Sequence, residues 1–192
     1  MNEQKYREAE ASLFADAGIE PRETWLDLDR TGVRARALEV GTGTPVVFLH
    51  GGPMAAATWS YVAAHLRDVR AILVDRPGCG LSEPPPAIPD ATDLASYVAT
   101  VTTDVLDALE LGAATLVGSS FGGYSALRSA LEMPGRIDGV FLAGYPPFGE
   151  DSANLNLILR QTPGDPVSGS SPLRASLCEV ERIDDPDTAA AR

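Results

Sequence analysis

Five residues near the middle of the chain, Gly118 to Gly122 (GSSFG), have the types and spacing that present a nucleophilic hydroxyl group. They follow an apolar run, Ala114 to Val117, and precede a stretch of small residues. This pattern is typical of a strand that turns sharply into a helix with a serine at the apex. Only Ser120 has glycine two positions away on both sides, where a side chain would collide with the adjacent strand and helix. The same pattern also fits a strand-to-helix turn whose serines have no chemical role.

Two further motifs lie upstream, each at the end of a predicted buried strand. Residues 45–49 form an apolar run that leads into the sequence HGGP at residues 50–53. Residues 71–74 form a second apolar run, which leads into DRPGCGLS at residues 75–82. Together with the serine segment, these motifs closely resemble the α/β-hydrolase superfamily in its serine-nucleophile branch. The resemblance extends over residues 20–148 and does not specify a substrate.

The resemblance implies a role for each motif residue. Ser120 would be the nucleophile, and the backbone N–H groups of Gly52 and Phe121 would form the oxyanion hole. Pro53 has no N–H to donate, and Asp75 is expected to order its own turn rather than to act as the triad acid. The residues expected to shape the motif loops are His50, Gly51, Pro53, Asp75, Gly78, Gly80, Gly118 and Gly122.

The catalytic acid and base of the family are not found in the chain. The family places the acid after its seventh strand and the histidine after its eighth, whereas the only histidines here, His50 and His65, precede Ser120. His50 is expected to brace its loop by hydrogen bonding, and His65 to be a half-exposed helix residue. A serine hydroxyl without a base stays protonated and is a poor nucleophile. We therefore expect this chain to be truncated and to be inactive alone.

The alternation of short strands and amphipathic helices predicts an α/β fold with a doubly wound, mostly parallel sheet. The sheet would lack the last two strands of the family. Residues 1–148 would form the core through a sixth strand at 137–143, and residues 149–192 would form the start of a helical cap. Other predicted elements are helices at 3–16 and 59–66, strands at 23–29 and 33–40, a helix capped by Asp90, and cap helices at 150–161 and from 172 to about 183.

Composition narrows the classes of partner. The 192 residues carry a formal net charge of −12, which argues against nucleic acid because no basic surface exists to replace counterions. The chain has no apolar run of membrane-spanning length and no signal-like start, so a cytoplasmic location is the default. No metal-ligand spacing and no cofactor motif is found, and Cys79 and Cys178 do not indicate a disulfide framework. A small-molecule substrate is the expected partner.

Two classes of function remain open from the sequence. The first is hydrolysis of esters, amides or other carbonyl-activated small molecules, and Ser120 at the apex argues against the branches of the superfamily that use a carboxylate nucleophile. The second is a non-catalytic binding or interaction protein with a hydrolase fold, or a truncated gene product. In either case the sixth strand would be an apolar edge, and self-association through that edge is expected.

Overall fold

The computed structural model describes residues 2–52, 54–87, 89 and 93–143. Pro53, Asp90 and the predicted cap helices therefore lie outside the described residues. The helices are α1 (Glu3–Asp16), α2 (Ser60–His65), α3 (Leu94–Ala108) and α4 (Phe121–Glu132), and a short 3-10 helix (Ala56–Trp59) precedes α2. The strands are β1 (Arg22–Leu28), β2 (Val33–Val40), β3 (Thr44–Leu49), β4 (Val69–Asp75), β5 (Ala114–Ser119) and β6 (Ile137–Ala143).

The six strands form one sheet in the order β1-β2-β4-β3-β5-β6. β1 and β2 pair antiparallel, and β2 is antiparallel to β4, whereas β4, β3, β5 and β6 are parallel neighbours. β3 and β4 are almost continuously apolar because strands inside a parallel sheet are buried on both faces. The predicted α/β fold with a mostly parallel sheet is confirmed.

Helices cover both faces of the sheet, and each face has its own core. Side chains alternate along a strand, so Val47 and Leu49 of β3 point to one face and Phe48 to the other. Val47 and Leu49 belong to a core that includes Val105 of α3 and Ala126 of α4. Phe48 belongs to a second core, which includes residues of α1, the 3-10 helix and α2. This arrangement is the predicted double winding.

Two helix starts differ from the sequence predictions. The predicted helix at 59–66 is preceded by the 3-10 helix, and the first N–H of that turn, on Ala56, donates to Asp75 Oδ1 at 2.7 Å. This bond from the end of β4 satisfies a helix-terminal donor that would otherwise lack a partner. The helix predicted to be capped by Asp90 begins at Leu94, with Asp93 at its N-cap position.

A buried arginine joins the amino-terminal helix to the end of β4. The Arg36 side chain on β2 is only 2% exposed and forms ion pairs with Glu10 of α1, Glu23 of β1 and Asp75 of β4. Its Nε lies 2.6 Å from Glu23 Oε2 and its Nη1 lies 3.2 Å from Asp75 Oδ2. Because charged groups buried in this way must be paired, the network fixes α1 against the sheet.

Among the described residues, β6 pairs only with β5 and forms one edge of the sheet. Phe141 in this strand is 55% exposed. An apolar edge strand offers unpaired N–H and C=O groups to another chain. Self-association through this edge stays a prediction, and sedimentation at micromolar concentration tests it. A monodisperse monomer would contradict it.

Within the described residues, no helix has the length and apolar character needed to cross a membrane.

Candidate active site

The segment around Ser120 forms a sharp turn between β5 and α4. β5 ends at Ser119, α4 begins at Phe121, and Ser120 between them has φ 50° and ψ −116°. A positive φ is uncommon for a residue other than glycine, and it persists only where the surrounding structure enforces it. The Ser120 hydroxyl makes no hydrogen bond with any described residue. This geometry is that of a nucleophile elbow.

The two glycines that lie two positions before and after Ser120 have no room for a side chain. A Cβ on Gly118 would lie 2.4 Å from the carbonyl oxygen of Gly122, across the turn. A Cβ on Gly122 would lie 2.0 Å from the carbonyl oxygen of Leu49, at the end of β3. The G-x-S-x-G spacing therefore has a steric cause, because the turn brings the start of α4 against β5 and β3.

The HGG segment that follows β3 lies against the same turn. A Cβ on Gly51 would be 3.0 Å from both the Ser119 carbonyl oxygen and the Ser120 Cβ. Gly52 has φ 20°, with open space where a Cβ would be. The ends of two neighbouring parallel strands thus bring Gly51 to the side of Ser120.

Arg76, the residue directly after β4, holds this segment in place. Its Nε donates to the His50 carbonyl at 2.9 Å, and its Nη2 donates to the carbonyls of Gly51 and Gly52 at 3.3 and 2.7 Å. The guanidinium carbon also lies 4.7 Å from the centre of the Phe121 ring, as in a cation–π contact. No local pattern marks this arginine, and only its place in the DRPGCGLS motif could have suggested it.

The contacts of the Gly51 carbonyl determine where the next N–H group points. This oxygen lies 2.9 Å from His50 Nδ1 and accepts bonds from Arg76 Nη2 and from the N–H of Met54, each at 3.3 Å. In a planar trans peptide, the N–H of Gly52 points away from that oxygen. The N–H of Phe121 lies in the first turn of α4, where no intrahelical acceptor exists. Among the described residues, the N–H groups of Gly52 and Phe121 have no hydrogen-bond acceptor.

The family model of the alpha/beta hydrolase family matches residues 46–190. The chain belongs to this family. Among curated proteins, 2-hydroxy-6-oxo-2,4-heptadienoate hydrolase of Pseudomonas putida is 38% identical over 117 residues, which are 59% of this chain and 41% of that protein. The 2-hydroxymuconate semialdehyde hydrolase of a Pseudomonas species is 37% identical over 121 residues, covering 59% of this chain and 40% of that protein. This α/β-hydrolase thus spans about two-fifths of the length of these relatives.

Solved structures agree with the fold. Carboxylesterase CesB from Bacillus subtilis has a TM-score of 0.67 at 23% identity, over 82% of this chain and 55% of that one. The 2-hydroxy-6-oxo-6-phenylhexa-2,4-dienoate hydrolase from Rhodococcus sp. strain RHA1 has a TM-score of 0.56 at 26% identity, over 65% of this chain and 46% of that one. The first likeness establishes the fold, and the named relatives are hydrolases.

The loop after β4 of this α/β-hydrolase is organised around Asp75. Besides Arg36 and the N–H of Ala56, the Asp75 carboxylate accepts a bond from the N–H of Leu81 at 3.1 Å. Gly78 and Gly80 have φ values of 76° and 55°, and a Cβ on Gly80 would lie 2.2 Å from the Asp75 carboxyl group. Asp75 therefore orders the turn that positions Arg76.

Cys79 in this loop is a free, half-buried thiol, and no metal-binding cluster occurs among the described residues.

Neither histidine of the chain offers a base to Ser120. His50 is fully buried, its Nε2 accepts the N–H of Arg76 at 3.1 Å, and its Nδ1 lies 2.9 Å from the Gly51 carbonyl oxygen. These partners fix the neutral Nδ1–H tautomer, in which both ring nitrogens are engaged. His65 is exposed on α2, and its Nδ1 lies 2.7 Å from the Tyr61 carbonyl oxygen. Each histidine has a local structural partner.

We expect stability to fall as the pH drops below about 6.5, because His50 must stay neutral to accept the Arg76 N–H. Burial and the charge of Arg76 lower the pKa of His50 to about 4. Between pH 6.5 and 4 the unfolded chain therefore takes up a proton that the folded chain excludes. This lowers the free energy of unfolding by up to about 1.4 kcal/mol per pH unit. Urea unfolding measured between pH 7 and 5 gives the slope of the unfolding free energy against pH.

The two histidines provide the matched comparison. The His50→Gln variant keeps polar groups in the loop without titrating, and we expect it to lose most of the slope. The His65→Gln variant should keep the slope of the wild-type chain. Equal slopes in both variants would show that His50 is not the group responsible.

Proposed function

We propose that this chain carries the nucleophile and the oxyanion hole of a hydrolase that acts on esters, amides or other carbonyl-activated small molecules. The observation that carries the proposal is the positive φ of Ser120 at the apex of a strand-to-helix turn. That conformation is costly and aims the hydroxyl away from the sheet, beside the HGG segment. The dienoate hydrolases among the curated relatives support the reaction class.

In the proposed reaction, the Ser120 Oγ attacks the substrate carbonyl carbon and its proton passes to a base. The carbonyl oxygen becomes an oxyanion that accepts the N–H groups of Gly52 and Phe121. A donor of this kind typically contributes about 2.7–4 kcal/mol to transition-state stabilisation. The oxyanion then collapses, the bond from the carbonyl carbon to the leaving group breaks, and the leaving group takes the proton that the base had received. Water next attacks the acyl carbon and gives a proton to the base, the acid product departs, and that proton returns to the Ser120 oxygen.

Arg76 acts in this proposal as a positioning residue. It holds the carbonyls of residues 50–52 on one side of the loop, and so directs the Gly52 N–H to the other side. Its contact with the Phe121 ring links the loop to the start of α4. One guanidinium therefore sets the relative position of the two proposed oxyanion donors.

We further propose that the 192 residues alone are inactive. Both of their histidines are engaged with backbone partners, and in this proposal the base for Ser120 is supplied by sequence outside this chain. The proposal thus treats the chain as the part of an α/β-hydrolase that supplies the nucleophile.

Fluorophosphonate labelling tests the assignment of Ser120. A folded protein that continues this chain with a further acid and histidine, fused or added in trans, should be labelled at Ser120. The 192-residue chain and the Ser120→Ala variant of the longer protein should not be labelled. A folded longer protein that stays unlabelled at Ser120 would favour the non-catalytic, ligand-binding alternative.

A further inference from the structure

A cavity of about 310 Å³ lies beside the Ser120 turn, between α3 and the start of α4. Pockets that hold small molecules typically have volumes of about 300–1,000 Å³. Most of the wall is apolar and includes Leu49 at the end of β3, Val98 and Val101 of α3, and the Phe121 ring. Its size and lining are those of a site for an apolar small molecule.

The polar groups of the wall fall into two kinds. The hydroxyls of Thr102 and Ser125 each donate to a carbonyl of their own helix at 3.0 Å. The Tyr97 hydroxyl, in contrast, is buried and has no hydrogen-bond partner among the described residues. Arg76 Nη1 also donates to none of them, since the three bonds of that side chain use Nε and Nη2. The described part of the wall therefore has two donors without a partner among the described residues.

The charge of the wall is unusual for this chain. The whole chain has a net charge of −12, yet the described residues that line the cavity include one arginine and no aspartate or glutamate. Burial lowers the pKa of Arg76; the neighbouring Cys79 opposes that effect in part, and no carboxylate among the described residues does. Arg76 is half-buried, and a partly desolvated charge without an opposite charge is unfavourable, so a bound anion would offset this cost.

We infer that this cavity is a binding site for a small apolar carboxylate that carries a second oxygen. The carboxylate binds Arg76 Nη1, the second oxygen accepts the Tyr97 hydroxyl, and the hydrocarbon part packs against Val98, Val101 and Phe121. Since Phe121 directly follows Ser120, the bound acid lies beside the elbow. That this acid is part of the substrate rests on the proposed function, whereas the binding itself does not.

Isothermal titration calorimetry on the 192-residue chain tests the site with three probes. The first is 3-benzoylpropionate, an aryl ketone with a carboxylate. The second is its uncharged amide, and the third is 4-phenylbutyrate, which lacks the keto oxygen. We expect saturable binding of 3-benzoylpropionate, with the amide at least about tenfold weaker because it lacks a charge-assisted bond to Arg76. We expect 4-phenylbutyrate to bind several-fold more weakly because Tyr97 then lacks an acceptor.

Single substitutions separate the contributions of Arg76 and Tyr97 to probe binding. Arg76→Gln should abolish the preference for the acid over the amide, and Tyr97→Phe should abolish the preference for the ketone over 4-phenylbutyrate. Arg67→Gln removes an exposed arginine that bonds only to backbone carbonyls, and it should change neither preference. Because Arg76→Gln also loosens the HGG loop, Leu94→Trp provides an independent test that fills the cavity from α3 and should weaken all three probes.

The inference is overturned if the folded chain shows no saturable binding of 3-benzoylpropionate up to about 10 mM. It is also overturned if the amide binds as tightly as the acid, or if Leu94→Trp leaves binding unchanged. Ser120→Ala should bind all three probes like the wild type. Absent binding with intact Ser120 labelling therefore contradicts this site alone, and intact binding with absent labelling contradicts the proposed function alone.

Discussion

Replacing Ser120 by alanine is expected to leave ester hydrolysis by the 192-residue chain unchanged. The reason is the engagement of both histidines: His50 accepts the Arg76 N–H, and His65 lies on an exposed helix with its own carbonyl partner. A serine without a base remains protonated at neutral pH. Initial rates with p-nitrophenyl acetate, measured for both chains at equal concentration, give the comparison.

The same replacement should have a very large effect once a base is present. In a longer protein that adds the acid and the histidine, Ser120→Ala should lower turnover by about 10⁴–10⁶ fold, as the loss of a triad residue does in serine proteases. Ser119→Ala is the matched control, because Ser119 is the neighbouring serine but ends β5 in regular strand conformation. It should retain most of the activity.

Two outcomes would contradict these expectations. A clear Ser120-dependent rate in the 192-residue chain would mean that a base reaches the hydroxyl within the chain or from a second copy. Equal activity of the Ser120→Ala and wild-type forms of an active longer protein would remove Ser120 from the mechanism. Circular dichroism on each variant separates either result from a loss of folding.

Replacing Arg36 by methionine is expected to lower the free energy of unfolding by about 3–5 kcal/mol. Methionine keeps much of the side-chain volume, but it leaves the carboxylates of Glu10 and Asp75 buried without their cation. Removing one partner of a buried ion pair costs far more than removing an exposed pair, because the remaining charge stays desolvated. Urea unfolding at pH 7 measures the difference.

Arg34→Met is the matched control for this experiment. Arg34 lies two residues earlier on β2, where its side chain is 55% exposed and stacks on the Trp25 ring. Its replacement should change the unfolding free energy by less than about 1 kcal/mol. Similar losses in the two variants would show that the Arg36 network does not stabilise the fold more than a surface arginine does.

Acid should weaken the Arg36 network in the wild-type chain. Burial pushes the pKa of Glu23 upward, but hydrogen bonds from Arg7 and Arg36 outweigh it and hold the pKa below its usual value. A carboxylate with a lowered pKa stabilises the fold above its unfolded-state pKa, and that stabilisation is lost as the pH falls through the folded-state value. The Arg36→Met variant should show a smaller loss over the same acidic range.

The sequence determined the elements and the Ser120 turn, because both depend on residues close together in the chain. The predicted strands at 33–40 and 137–143 and the helix at 3–16 match the structure. Apolar alternation and glycine positions act over a few residues, so they can be recognised without tertiary information. Likewise, the clash that excludes a side chain at Gly118 arises within a single turn.

Only the tertiary structure decided how distant segments share the site. Arg76 binds carbonyls of residues 50–52, Arg36 joins α1 to the end of β4, and the cavity forms where α3 meets α4. No local pattern marks such residues, since an arginine in a motif or on a strand is usually a solvated charge. Their partners are set by the order of the strands, which brings the ends of β3, β4 and β5 together. The sheet thus converts three separate motifs into one candidate site.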